Sequence, residues 1–409
     1  MTLVNIISAI GNNSSVYPLI VRDCGIEVPS KVAMTYKQNL KDSKQMAYNA
    51  TRERLIDEYG TSIVWLGGIP AVGAICDWGI KKLGYNPNVN PSLLKEDAKQ
   101  GLKYNIDKFK QIAPNEVKEM EKVLKNKSTY QKLLAGKFVL STAVPVALMG
   151  YFLPKANFAL TEKIKKRQET MKPLYKEFKD LEQKDGQENP SFKGISATLA
   201  NMPTVHKMAL TDGGLTIGRV GTARNKYERM ENGFKMSMMM FLNFVAPIWI
   251  AKGLDSLSNK IFKTNVNLDP KLLNDKEFLA SIKGKKLELP NDDIIEFLDK
   301  NPNAKFSKLA EEYCGVKYLK NRVRDPRAFV DVKKIKSLRD EIEKFTKQAT
   351  SSKNVDKFAK KALVAKSANI IANVGISSFL LAIALPKLTF VLRKKVTGSD
   401  AEPGLMKQA

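Results

Sequence analysis

Four stretches of the chain run without a charged residue for about 16 positions or more: residues 61–76, 138–153, 236–251 and 367–386. A membrane-spanning helix needs about 20 apolar residues, with a lower limit near 17. Together with their flanks, the stretches predict apolar helices over about 61–80, 136–154, 234–252 and 367–392. Proline, glycine, serine and asparagine recur inside them, residues that membrane helices tolerate better than soluble ones. Trp65, Trp78 and Trp249 lie in or beside these stretches. Basic clusters follow three of them, and long cationic side chains at helix ends reach toward lipid headgroups. Lys81, Lys82, Lys163, Lys165, Lys166, Arg167, Arg393, Lys394 and Lys395 are therefore the expected headgroup-anchoring residues. Two other arrangements fit the same pattern: buried helices of a soluble bundle, or hairpins that turn back at Pro70, Pro145 and Pro247.

The polar stretches also have helical periodicity. Residues 115–127 place Val117, Met120, Val123 and Leu124 on one face. Residues 161–183 put Ile164, Met171, Leu174, Phe178 and Leu181 near one stripe, interrupted at Pro173. Residues 332–347 space Ile335, Leu338, Ile342 and Phe345 along another. Loops are expected at 87–91, 186–194, 213–221 and 301–303, where glycine, proline and asparagine concentrate. No stretch alternates as a strand would. The fold class read from the pattern is all-α: an integral membrane helical protein with amphipathic extramembrane helices.

Comparing the chain with itself points to a tandem duplication of a two-apolar-helix unit. Residues 50–60 lie opposite 223–233, Pro70 opposite Pro247, and residues 88–94 opposite 265–273. Pro114-Asn115-Glu116 answers Pro290-Asn291-Asp292, and Leu153-Pro154-Lys155 answers Leu385-Pro386-Lys387. The matches keep their order, at an offset near 173 to 179 that jumps to 232. This predicts a first repeat over 1–205, a second over 206–409, and a helical insertion near 311–361. Two units repeated head to tail would relate by a pseudo-twofold axis along the membrane normal.

Charge adds a partner class. With 68 Lys+Arg against 42 Asp+Glu the net charge is +26, which calls for an anionic surface. Lysine outnumbers arginine, favouring diffuse attraction over bidentate readout. The segments outside the apolar stretches carry basic and acidic residues as 7 and 6 (1–60), 13 and 6 (81–137), 16 and 10 (154–235) and 27 and 17 (252–366). All are basic, so the positive-inside rule gives no orientation.

The chemistry-bearing residues mostly exclude functions. Three cysteines, Cys24, Cys76 and Cys314, form no CxxC pair, and a single histidine, His206, argues against triads, zinc and haem. Gly213-Gly214 through Gly218-Arg219-Val220 only loosely matches a P-loop, since Arg and Val replace the Lys and hydroxyl residue that bind phosphate and Mg²⁺. The run Met238-Met239-Met240 reads as lipid-facing or packing surface. Asp77, Asn243, Asn369 and Asn373 sit at or inside the apolar stretches and could line a polar path. The resulting expectation is a non-enzymatic membrane scaffold or interaction component. It would have no cofactor or metal, and its partners would be anionic lipids, with a protein partner on the amphipathic helices. Its expected location is a bacterial inner membrane, with no cleavable signal peptide. The alternatives are a small-solute or ion transporter with a path between the repeats, or a soluble, basic, helical nucleic-acid-binding protein.

Overall fold

A computed structural model describes residues 2–11, 20–95, 99–170, 204–264, 266–284, 286–291, 293–352 and 354–405. Among them there is no strand, and a single bridge joins Tyr318 to Arg324. Four helices are long and apolar enough to cross a membrane: α3 (Lys44–Lys82), α6 (Lys127–Arg167), α8 (Lys226–Phe262) and α14 (Val355–Thr397). At 37 to 43 residues and 1.5 Å per residue, each is roughly 55–65 Å long. Within their most apolar windows only 6, 33, 17 and 28 % of positions are buried by the protein itself. The remaining positions are half-buried or exposed.

The helices do not turn back at their prolines. Pro145 lies inside a continuous helix. Pro70, Pro154 and Pro386 each stand two residues after a five-residue π-helical turn, at Val64–Gly68, Leu148–Phe152 and Leu380–Ala384. Proline lacks an N–H and its ring clashes with the carbonyl four residues back. In all three cases that carbonyl falls inside the wide turn, which accommodates the ring without breaking the helix. In α8 the helix is instead interrupted by a turn at Val245, two residues before Pro247, where the Val245 N–H still donates to the Phe241 carbonyl at 2.9 Å.

The chain divides into two compact units, Met1–Pro18 with Asp77–Leu134 and Pro247–Ile376, and Leu19–Cys76 with Ala135–Ala246 and Ser377–Ala409. All the boundaries but that at 18/19 fall inside the long helices. The first unit holds α1 (Leu3–Gly11), α4 (Leu102–Phe109), α5 (Pro114–Lys125) and, from the later chain, α9 (Pro270–Leu273), α10 (Lys276–Lys283), α11 (Ile294–Lys300), α12 (Lys305–Leu309) and α13 (Val332–Ser351). Its core gathers Phe278, Phe306, Ile335, Ile342 and Phe345, with Phe278 stacked on Phe345 at 6.0 Å. Residues 311–361, expected as an insertion, share this core with residues 268–310. Arg324, fully buried, donates to Asp299 at 2.6 Å, and Asn105 and Gln100 bond the backbone at Pro326 and Val330. In α5, Val117, Met120 and Val123 are buried as expected, whereas Leu124 is exposed.

The second unit contains two similar hairpins. Helix α2 (Val28–Asn39) packs on the first half of α3 across a four-residue turn, and helix α7 (Thr204–Gly221) packs on the first half of α8 across a turn of the same length. Ser43 and Asn225 cap α3 and α8 by accepting from the N–H groups of Met46 and Glu228, the usual role of such residues. The first half of α3 also lies along the last part of α6, and that of α8 along the last part of α14. Residues 213–221, expected as a loop, are helical. Gly218 serves packing: a Cβ there would come within 2.9 Å of Gly150 Cα, so only glycine lets α7 approach the π turn of α6. The helix expected over 161–183 extends α6 to Thr170, with Ile164 half-buried. Its later positions, Met171, Pro173, Leu174, Phe178 and Leu181, and the loop at 186–194 lie outside the described residues.

Candidate functional site

The second unit buries an ionic cluster where the polar ends of its helices meet. Four charges, Glu53, Arg54, Asp57 and Glu58, stand just before the apolar stretch of α3, and Glu228, Glu231 and Lys235 just before that of α8. At helical spacing these fall on one side of each helix. Lys31 of α2 pairs with Glu27 and, at 3.4 Å, with Glu58. Glu58 also receives Arg54 and Lys235, each at 3.4 Å. Arg219 of α7 reaches Asp57 at 2.6 Å and Thr61 at 2.7 Å. Arg224 forks onto both oxygens of Glu53 at 3.0 Å, bonds Glu228 at 2.8 Å, and stacks 3.9 Å over Phe158.

The C-terminal segment closes the cluster. Arg393 bonds Glu231 through Nε at 2.8 Å and contacts Glu402 at 2.8 Å. Arg54 approaches Glu402 at 3.6 Å. Burial pushes the Glu402 carboxyl up, but Arg393 and then Arg54 outweigh it and hold it down at about 2. Asn39 accepts from the Glu402 N–H at 2.9 Å, and Asn225 donates to the Pro403 carbonyl at 2.6 Å. A side chain at Gly404 would run into Arg224 and Glu228. Lys31, Thr35, Arg54 and Lys235, with Leu385, Pro386, Thr389 and Phe390 of α14, line a small cavity of 10 Å³, room for about one water. At the edge of the cluster, burial first and the charge of Asp23 second push the Asp212 carboxyl up to about 6. Charges of both signs are so closely matched that the cluster reads as a clasp between helices.

The residues expected to anchor headgroups separate into two groups. Lys81, Lys82, Lys163, Lys166, Arg167, Lys394 and Lys395 are exposed, and Lys165 is half-buried. Lys82 sits 3.9 Å over the exposed ring of Trp78. Arg393 is different: it is buried in the clasp and does not face outward. Asp77, Asn243, Asn369 and Asn373 are all half-buried. Asn369 donates to Asp255 at 3.1 Å, and Asn243 belongs to a different unit from the other three. Met239 packs beside Met149, Leu215 and Met236, and Met240 accepts from Thr216 at 3.7 Å, so the methionine run takes part in packing. The side chain of His206 lies outside the described residues. Among the described residues no group of three His, Cys, Asp or Glu could hold a metal ion.

The clasp was not expected from the sequence. Its signal was present in the charges at 52–54 and 57–58, dense and of both signs beside an apolar stretch. No family model, curated protein or solved structure matches the chain.

Proposed function

We propose that the chain is a non-enzymatic integral membrane protein, a scaffold that spans the bilayer with α3, α6, α8 and α14 and holds them with a self-neutralised ionic clasp. The observation that carries this reading is the outward face of the four helices. Only 6 to 33 % of the positions in their apolar windows are buried, so the protein itself leaves much of this apolar surface partly exposed, as a bilayer would require. Trp78 and Trp249, at 59 % and 63 % exposed, suit the aromatic belt where a bilayer meets water. Lys81, Lys82, Lys163, Lys166, Arg167, Lys394 and Lys395 suit anionic headgroups.

The same reading includes a duplicated architecture. The π turns Leu148–Phe152 and Leu380–Ala384 are separated by 232 residues, the offset at which Leu153-Pro154 answers Leu385-Pro386. The hairpins α2–α3 and α7–α8 have equal turns and similar caps. Their partners exchange: α2 meets the π turn of α14, and α7 meets that of α6. Such reciprocal packing supports a pseudo-twofold relation between the repeats.

Membrane fractionation tests the proposal. The expressed chain should stay in the pellet after alkaline carbonate and enter solution only with detergent. Release by carbonate alone overturns it.

A further inference from the structure

A cleft of 560 Å³ opens in the first unit where the end of α8, the end of α13 and the start of α14 come together. Sites for small molecules hold about 300–1,000 Å³. Asn259 and Lys263 line the cleft on the α8 side, Lys347 and Gln348 on the α13 side, and Phe358 on the α14 side. Among the described residues no carboxylate lines it. Lys347 pairs with Glu343 along its own helix at 2.6 Å in an exposed position, a weak tie. The side chains of Lys263, Asn259 and Gln348 have no ion-pair or hydrogen-bond partner among the described residues. The cleft therefore offers both room and free donors.

Lys263 is held there against its backbone preference. It follows the last residue of α8 with φ at 47°, in the left-handed region that a Cβ disfavours. Two other helical segments that end this way use glycine: Gly315 at φ 77° after Cys314, and Gly398 at φ 72° after Thr397. The other non-glycine residue at positive φ is Arg322, whose guanidinium meets Glu311 at 2.8 Å and lies 4.4 Å over Tyr318. Lys263 has the same costly backbone and no such partner. A cation that served only the C-terminal dipole of α8 would not need this conformation, because Lys260 already stands in the last turn.

We infer that this cleft binds a phosphate monoester of a small soluble molecule, with the phosphate between Lys263 and Lys347. Such a group carries a charge of about −1.5 to −2 at pH 7, the complement of two ammonium groups. The amides of Asn259 and Gln348 and the ring of Phe358 are left for the organic part. The source of the phosphate follows from depth. Lys263 stands 12 residues beyond Ala251, where the apolar stretch of α8 ends, roughly 18 Å further along the helix. A headgroup layer is only about 5–8 Å thick, so the cleft lies in water beyond the lipid. This last step alone rests on the membrane reading.

The test uses the full chain purified in a neutral detergent, with thermal unfolding followed at matched ionic strength. The probes are AMP, inorganic phosphate, adenosine and dihexanoyl phosphatidic acid, a lipid that also carries a phosphate monoester. AMP and inorganic phosphate should stabilise the wild type, and adenosine should not. Lys263→Gly should raise the ligand-free melting temperature by relieving the backbone, yet need at least roughly tenfold more AMP for the same gain, because a charge-assisted contact is lost. Lys347→Gln should weaken the AMP response in the same direction. Lys260→Gln, which removes an exposed cation outside the cleft, should respond as wild type. Absence of protection by both AMP and inorganic phosphate overturns the site. Equal protection by adenosine and AMP overturns it, since the phosphate is then not what is read, and a loss in Lys260→Gln equal to that in Lys263→Gly overturns it as diffuse attraction. If Lys263→Gly does not fold, an unchanged AMP response in Lys347→Gln overturns it as well. Stronger Lys263-dependent protection by phosphatidic acid than by AMP overturns the soluble source and assigns the phosphate to a lipid. Carbonate extraction of the same variants reads the spanning helices alone, so failure of the site and failure of the membrane reading are distinguished.

Discussion

Glu402 is the point where the clasp can be opened by one atom change. Its carboxylate lies against Arg393 at 2.8 Å and Arg54 at 3.6 Å and is largely covered, with 18 % of the side chain exposed. Its pKa falls from 4.5 to about 2 on folding, and at 1.36 kcal/mol per unit this corresponds to about 3 kcal/mol. A carboxyl whose pKa is lowered by folding adds stability above its unfolded value, near pH 4.5. That contribution is lost as the pH falls through 4.5 toward 2. Glu402→Gln keeps the shape and removes the charge. It should cost up to about 3 kcal/mol at pH 7, somewhat less where Glu231 takes over Arg393. Between pH 4.5 and 2.5 the variant and the wild type should converge. Unfolding in mixed micelles at increasing mole fraction of dodecyl sulfate, followed by far-ultraviolet circular dichroism at pH 7, 5, 4 and 3, measures both. A variant as stable as wild type at pH 7, or a gap that stays constant on acidification, refutes the assignment of Glu402 as a clasp residue.

Four further outcomes follow from other contacts. Gly218→Ala should destabilise by about 1–3 kcal/mol, because its Cβ would press on the Gly150 backbone, whereas Gly213→Ala in the same helix meets open space and should stabilise by up to about 1 kcal/mol; thermal unfolding in detergent reads the opposite signs. Asp212→Asn should stabilise the protein at pH 7 and not at pH 4, since a carboxyl raised to about 6 loses stability as the pH climbs from its unfolded value through 6. Asp299→Asn should cost about 3–5 kcal/mol in the first unit by leaving the buried Arg324 guanidinium without its partner, measurable as a lower melting temperature. Cys314, whose thiol burial pushes up to about 11, should react with a maleimide at pH 7.5 far more slowly in the folded protein than after denaturation, as counted by mass spectrometry.

What the sequence made legible follows from the range of the forces involved. The four apolar helices were readable because composition alone decides whether about 20 residues suit a bilayer. The helix over 332–347 was readable because Ile335, Ile342 and Phe345 recur at the spacing of one buried face. Gly213 to Gly221 was misread because glycine lowers helix propensity by about 1 kcal/mol in isolation, while its value here comes from a close approach to Gly150, more than 60 positions away. Arg393 was misread for the same reason. At the end of an apolar stretch an arginine next to two lysines looks like a headgroup anchor, and only tertiary structure brings Glu231 and Glu402 onto it. Arg52 shows the other side of this limit. It stands in a run of charges that reads as a solvated helix face, and nothing near it in sequence indicates that Glu53, Asp57 and Glu58 are claimed by Arg224, Arg219 and Lys31. Long-range pairing takes those acids away from Arg52.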